Sequence, residues 1–108
     1  WKYLKKRRDL IVNQLSQIEG IKCNVPDGAF YVFPDISYFF DKKDENNNVI
    51  KNSNDLSMYL LNDAHVATVA GAAFGTNECI RISYATSNKN ITEATQRIKK
   101  SLEKLKWS

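Results

Sequence analysis

Histidine occurs once in this 108-residue sequence, and cysteine and proline occur twice each. Each scarcity excludes something. One histidine leaves no imidazole cluster for a metal, and His65 falls where a helix is expected to end, a place where an imidazole can bond the last carbonyls, so a structural role is expected ahead of a catalytic one. Cys23 and Cys79 are far apart with no Cys-x-x-Cys spacing, which argues against a zinc site or a disulfide scaffold. Both thiols are expected to be reduced and at least partly buried. No glycine-rich phosphate loop and no GxGxxG is present, so nucleotide binding of either common type is not indicated. No apolar run approaches the ~20 residues needed to cross a bilayer, and no signal-peptide pattern is visible, so no membrane partner and a cytoplasmic location are the expectations. Trp1 leads directly into helical sequence without a capping residue, from which the chain is expected to be cut from something longer.

What is present is enough for one globular domain with a modest core: 43% of residues are hydrophobic and 26% charged. The net charge of +4 is concentrated at the two ends, in Lys2, Lys5, Lys6, Arg7 and Arg8, and again in Arg97, Lys99, Lys100, Lys104 and Lys106. Such clusters fit nucleic-acid binding or the solvated face of an amphipathic helix.

Apolar residues at helical spacing, Leu4, Ile11, Leu15 and Ile18 with Leu10 and Val12 beside them, predict a first helix that Gly20 stops. Ile21 to Val25 reads as a short edge strand, and Pro26, Asp27 and Gly28 as a turn. Ala29 to Phe33 is apolar on both faces and is expected to be a central strand beside the one that carries Arg81, ending at Pro34. Ile36 to Phe40 is an aromatic patch expected to pack under the loop that follows. That loop, Asp41 to Asn54, is polar and is expected to be the most mobile. Ser53 is the expected N-cap of a second helix, with Asp55 in its first turn and Leu56, Tyr59, Leu60 and Ala64 buried. Asn90 and Glu93 resemble a capping box opening a last helix with Ile91, Ala94, Ile98, Leu102 and Leu105 inward. The order helix, strand, strand, helix, strand, strand, helix predicts an α+β domain, a small mixed sheet packed by helices.

The stretch from Val66 to Ala85, VATVAGAAFGTNECIRISYA, reads as strand, glycine loop, strand. In its second strand Ile80, Ile82 and Tyr84 share one face, and Cys79, Arg81 and Ser83 the other. Arg81 is therefore either a cation on the wet side of a half-covered sheet or a guanidinium facing a cleft, where it would grip a carboxylate through two parallel N–H bonds. Spacing alone leaves both open.

Four pieces in order, YLKKRRD, PDGAFYVFPDIS, DLSMYLLNDAHVATVAGAAFG and IRISYATSNKNITEATQRI, resemble the C-terminal small domain of class I aminotransferases, the pyridoxal-phosphate enzymes of the aspartate aminotransferase type. The resemblance runs nearly the whole length, and residues 1–108 are expected to form one such domain. It departs at the glycine loop, where Ala70 and Ala72 stand at positions that usually hold proline and often serine. By resemblance, Arg81 binds the substrate α-carboxylate. The substrates implied are an amino acid, with aspartate the first candidate, and a 2-oxo acid such as 2-oxoglutarate. The cofactor implied is pyridoxal 5'-phosphate, and the full-length enzyme is implied to be a homodimer. The cofactor lysine and phosphate-binding residues belong to a large domain that precedes this segment in the family, so no catalytic, cofactor-binding or metal residue is assigned here. The segment alone is expected to be inactive. Two alternatives stand beside this: a lyase or decarboxylase on the same scaffold, and a basic module that stacks single-stranded nucleic acid on Phe30 and Tyr31.

Overall fold

A computed structural model describes residues 2–23, 31–83 and 88–107, with the side chains of 2–4 and 88 left aside. Helix α1 spans Lys2–Ser16, and Ile11, Leu15 and Ile18 are buried. The helix gives way to a turn that closes at Gly20 with φ of 94°. Strand β1 is Tyr31–Val32, helix α2 is Ser53–Tyr59, strand β2 is Val69–Ala70, strand β3 is Ile80–Ser83 and helix α3 is Asn88–Glu103. The α+β class is as expected.

The sheet differs from expectation in two respects. Its order is β1-β3-β2 and both pairs are antiparallel, with Val32 opposite Ile82 and Val69 opposite Arg81. The expected mixed sheet does not form among the described residues. A loop as short as the one between β2 and β3 reverses the chain, and reversal dictates antiparallel pairing, whereas a parallel neighbour needs a long crossover. β3 is the central strand, where Ala29 to Phe33 was expected to be. Ala29 and Phe30 lie outside the described residues, and Tyr31 and Phe33 of the same face are 37% and 40% exposed, so that face is open and not covered. The edge strand expected from Ile21 survives in the described residues as one bridge, Lys22 to Asp35, and Asp35 bridges onward to Cys79. Asn24 and Val25 lie outside, as do the turn at Pro26 to Gly28 and Tyr84. Pro34 ends the ladder as a donor but still accepts from the Ile80 N–H at 3.2 Å.

Helix α2 is capped one residue earlier than expected. The Asn52 side chain accepts from Asp55 N at 2.9 Å, which satisfies one orphan donor of the helix, and the Asp55 carboxylate reaches back to accept from Lys51 N, just before the cap, at 3.0 Å. Beyond Tyr59 the helix widens into one π-type turn, Leu60–Ala64, which ends at His65 with φ of 57°. The His65 N–H donates to Leu60 O, so the residue closes the helix as expected, though through its backbone. Leu56, Leu60 and Ala64 are buried, and the Tyr59 hydroxyl donates to Ser101 O on α3 at 2.6 Å. Burial beside the Asp63 carboxylate pushes the Tyr59 hydroxyl well above its usual range. Ser101 and Lys104 in turn bond Asp63, and the Ser101 bond in particular holds that carboxyl below its ordinary value.

Helix α3 begins two residues before Asn90, which therefore sits inside its first turn, and the residues that would cap it lie outside the described part. Its inward stripe is as expected: Ile91, Ile98 and Leu102 are buried, with Leu105 just past the end. Gln14 on α1 and Thr92 and Thr95 on α3 join the two helices by hydrogen bonds between side chains. The polar Asp41 to Asn54 stretch, expected to be loose, is folded into a hairpin. Asp41 N donates to Ile50 O, Ile50 N to Lys42 O, and the Asp44 carboxylate receives the N–H groups of Asn46 and Asn48. Local side-chain capture of backbone donors is why an asparagine-rich segment can be compact without an apolar core of its own. Of the aromatic patch, Ile36 and Phe39 are buried as expected, whereas Tyr38 is 40% exposed. Lys42 is buried there too, its ammonium 4.6 Å from the Tyr38 ring and 4.8 Å from the Trp107 ring. Both thiols are free and half-buried as expected, and Cys23 is pushed up to about 11 by burial and by the neighbouring Cys79.

Candidate functional site

β3 alternates as its sequence predicts. Ile80 and Ile82 go into the core, and Arg81 and Ser83 go to the open face. Because β3 is the middle strand, Arg81 is flanked on both sides. Tyr31, which pairs with Ser83, is its diagonal neighbour on β1, and the Arg81 guanidinium carbon lies 4.3 Å from the Tyr31 ring centre. It also lies 5.7 Å from the ring of Phe74, which meets Phe33 edge-on at 5.6 Å.

Phe74 is delivered by the loop that follows β2. Gly71–Phe74 forms a 3₁₀ turn closed by Gly75, whose φ is 84°. Gly71 N donates to Cys79 O and Thr76 N to Gly71 O, both at 2.8 Å. A Cβ on Gly71 would fall 1.8 Å from Thr76 O and 2.2 Å from Cys79 O, so the loop closes this tightly only around a glycine. A second fastening comes from α2. Ser53, fully buried, accepts from Ala72 N at 3.0 Å and donates to the Asn77 side-chain oxygen at 3.1 Å. The residue expected to cap α2 thus pins the glycine loop instead.

The electrostatics of this face are simple. Arg81 has no hydrogen bond or ion pair among the described residues, and its Nε is buried without a partner. A buried unpaired donor carries a cost of about 1–3 kcal/mol, which ring stacking offsets in part. With Nε covered, the two Nη nitrogens are the donors left to meet an anion end-on, as a fork. Such a site suits one planar, negatively charged group. It does not suit pyridoxal phosphate: none of the residues of β1, β2, β3 or the glycine loop is a lysine, and at the start of α2 the Ser53 N–H already donates to the Asn77 side-chain oxygen and the Asp55 N–H to that of Asn52. The hollow of 890 Å³ between the hairpin and α2 is lined by Asp44, Glu45, Asp55 and Asp63 and carries the wrong charge for an anion. Among the described residues no group of acidic, histidine or cysteine side chains is placed to hold a metal.

The family model for aminotransferase class I and II matches residues 2–98. The chain belongs to this family. It is 46% identical over 101 residues to the aspartate aminotransferase of Rhizobium meliloti (strain 1021), covering 94% of this chain and 25% of that protein. Against the bifunctional aspartate aminotransferase and glutamate/aspartate-prephenate aminotransferase of Petunia hybrida it is 45% identical over 105 residues, 97% of this chain and 22% of the relative. Among solved structures, the aspartate aminotransferase of Rhizobium meliloti superposes with a TM-score of 0.94 at 44% identity over 96% of this chain and 26% of that one. The alanine aminotransferase of Pyrococcus furiosus gives 0.80 at 33% identity over 94% and 24%. The chain therefore spans about a quarter of the length of these aminotransferase relatives.

The sequence named Arg81 and the face it shares with Ser83. It did not name Tyr31, Phe33 or Phe74 as its surroundings. The signal for the first two was present, since residues two apart on a strand share a side, but the stretch read as buried on both faces. No spacing rule links Ser53 to Asn77 across 24 positions.

Proposed function

We propose that this chain is the C-terminal small domain of a pyridoxal-phosphate-dependent aminotransferase, and that Arg81 binds the α-carboxylate of its substrates. The reaction is the reversible transfer of an amino group from an amino acid, aspartate in the first instance, to a 2-oxo acid such as 2-oxoglutarate. The cofactor is held by a part of the full-length polypeptide outside these residues, and the full-length enzyme works as a homodimer. The observation that carries this reading is the Arg81 guanidinium itself: it sits on the central strand, beside the rings of Tyr31 and Phe74, with no internal anion to neutralise it among the described residues.

Every amino acid and every 2-oxo acid presents the same carboxylate, and a fork of two N–H donors fixes that group in one plane. Fixing it in turn aims the bond at the adjacent carbon, so the domain contributes orientation. Its exposed rings Tyr31, Phe33 and Phe74 exclude water from the ion pair once a second surface covers them. The Tyr31 ring is also already engaged by Arg81, which leaves it poorly free to stack a nucleic-acid base.

Replacing Arg81 by alanine in the full-length, cofactor-loaded protein should lower kcat/KM by about a hundredfold or more, the loss of a desolvated charged hydrogen-bond pair. An unchanged kcat/KM rejects the assignment. The isolated chain mixed with pyridoxal phosphate should show no lysine-dependent absorbance band; such a band would refute the placement of the cofactor elsewhere.

A further inference from the structure

We infer that Tyr31 and Phe74 are positioning residues for Arg81, and that the glycine loop, pinned by Ser53, sets how well the site holds a carboxylate. This inference rests on the carboxylate-binding reading above and adds the residues that make the arginine competent.

An arginine side chain has four rotatable bonds and, on a strand, ample room to sweep. Binding a carboxylate in a single plane costs the entropy of stopping that motion, unless something has stopped it already. In aminotransferase substrates the plane matters, because a fork that meets the carboxylate askew mis-aims the neighbouring carbon. Among the described residues the usual restraint, an acidic partner, is missing; such a partner would compete with the substrate for the same donors. Aromatic faces restrain a guanidinium without occupying its N–H groups. Tyr31 supplies one face at 4.3 Å and Phe74 a second ring at 5.7 Å, while the covered Nε removes the side-on alternative.

The two rings are not held alike. Tyr31 belongs to a strand paired with β3, and its place is fixed by sheet register. Phe74 depends on a loop whose closure needs Gly71, the Cys79 and Thr76 backbone bonds, and the buried Ser53 hydroxyl bonded to both Ala72 N and Asn77. Through that hydroxyl, α2 bears on the arginine from a distance. Phe33 steadies the ring by its edge-on contact.

The test uses the full-length, cofactor-loaded enzyme and two amino donors, L-aspartate and its α-amide, which lacks the α-carboxylate. Wild type is compared with Phe74→Ala, Phe74→Tyr and Arg81→Ala, reading kcat/KM for each donor and, separately, the dissociation constant of succinate by calorimetry. Phe74→Ala should reduce the preference for acid over amide by about fivefold to tenfold and weaken succinate by a similar factor, the size of a lost ring–cation contact. Phe74→Tyr should restore both to within about twofold, since its ring is the same. A general structural role would lower both donors equally and leave the ratio alone. The inference is overturned if Phe74→Ala keeps the wild-type ratio while Arg81→Ala abolishes it. If Arg81→Ala also keeps the ratio, the carboxylate assignment falls and takes this inference with it.

Discussion

Substituting alanine for Gly71 should damage this domain more than the same change four residues on at Gly75. The added methyl at Gly71 meets two backbone oxygens, Thr76 O at 1.8 Å and Cys79 O at 2.2 Å, and neither can rotate out of the way. The chain must separate there, breaking the two 2.8 Å bonds that Gly71 makes to those same residues. Overpacking of this kind costs about 1–3 kcal/mol, and each lost backbone bond adds about 1 kcal/mol, for a total of about 3–5 kcal/mol. At Gly75 nothing lies within 4 Å of the new methyl, so only the left-handed backbone is penalised, by about 1–2 kcal/mol. Thermal unfolding of both variants, followed by circular dichroism, checks the difference: Gly71→Ala should lower Tm by about 10 °C or more and Gly75→Ala by about half of that or less. Equal shifts, or a larger one at Gly75, would show that the loop is not closed on Gly71 as described, and the support beneath Phe74 would go with it.

Three further outcomes are expected. The folded-state value of the Asp63 carboxyl lies below its ordinary 3.8, chiefly through the Ser101 hydrogen bond, with Lys104 adding to it. Its contribution is therefore fully present above that value and is lost as pH falls through the lowered one; in Asp63→Asn the acid-side decline in Tm should be shallower, and an identical decline would exclude Asp63 as a cause. Tyr59→Phe removes the 2.6 Å bond to Ser101 O and should cost about 1 kcal/mol in urea unfolding, with no loss meaning that water replaces the hydroxyl freely. Cys23, raised to about 11, should react with iodoacetamide at pH 8 at least about tenfold more slowly than a free thiol, and an equal rate would mean that the strand edge around it opens.

The helices and the inward positions of β3 were legible because each rests on a local period. Ile11, Leu15 and Ile18, or Ile80 and Ile82, announce a face by spacing alone, and burial follows. The open face of β1 was not legible. Tyr31 and Phe33 are apolar enough to be read as core, and composition does not tell a ring packed inside from a ring waiting for a charged neighbour. Ser53 was misread for a different reason: a serine before a helix has a standard local use, and here a longer-range partner, the glycine loop, claims the hydroxyl while Asn52 takes the cap. The Asp41 to Ile50 hairpin was hidden because its order comes from Asp44 collecting backbone donors, which leaves no hydrophobic trace. Arg81 was visible as a cation on a strand, but its freedom from any acidic partner among the described residues depends on which strands sit beside it, and that is decided by the sheet.

The hairpin has a mechanical consequence. Lys43 N donates to Lys106 O and Lys106 N to Lys43 O, so a rung of two hydrogen bonds clasps the chain just beyond α3 to a segment 63 positions earlier. A force pulling on the C-terminal end loads this clasp, and the stack of Trp107 over Lys42, before it reaches the helix. The tail would give way as one click, with the indole leaving its neighbours at that moment, and the helix behind it would stay wound until the clasp had gone.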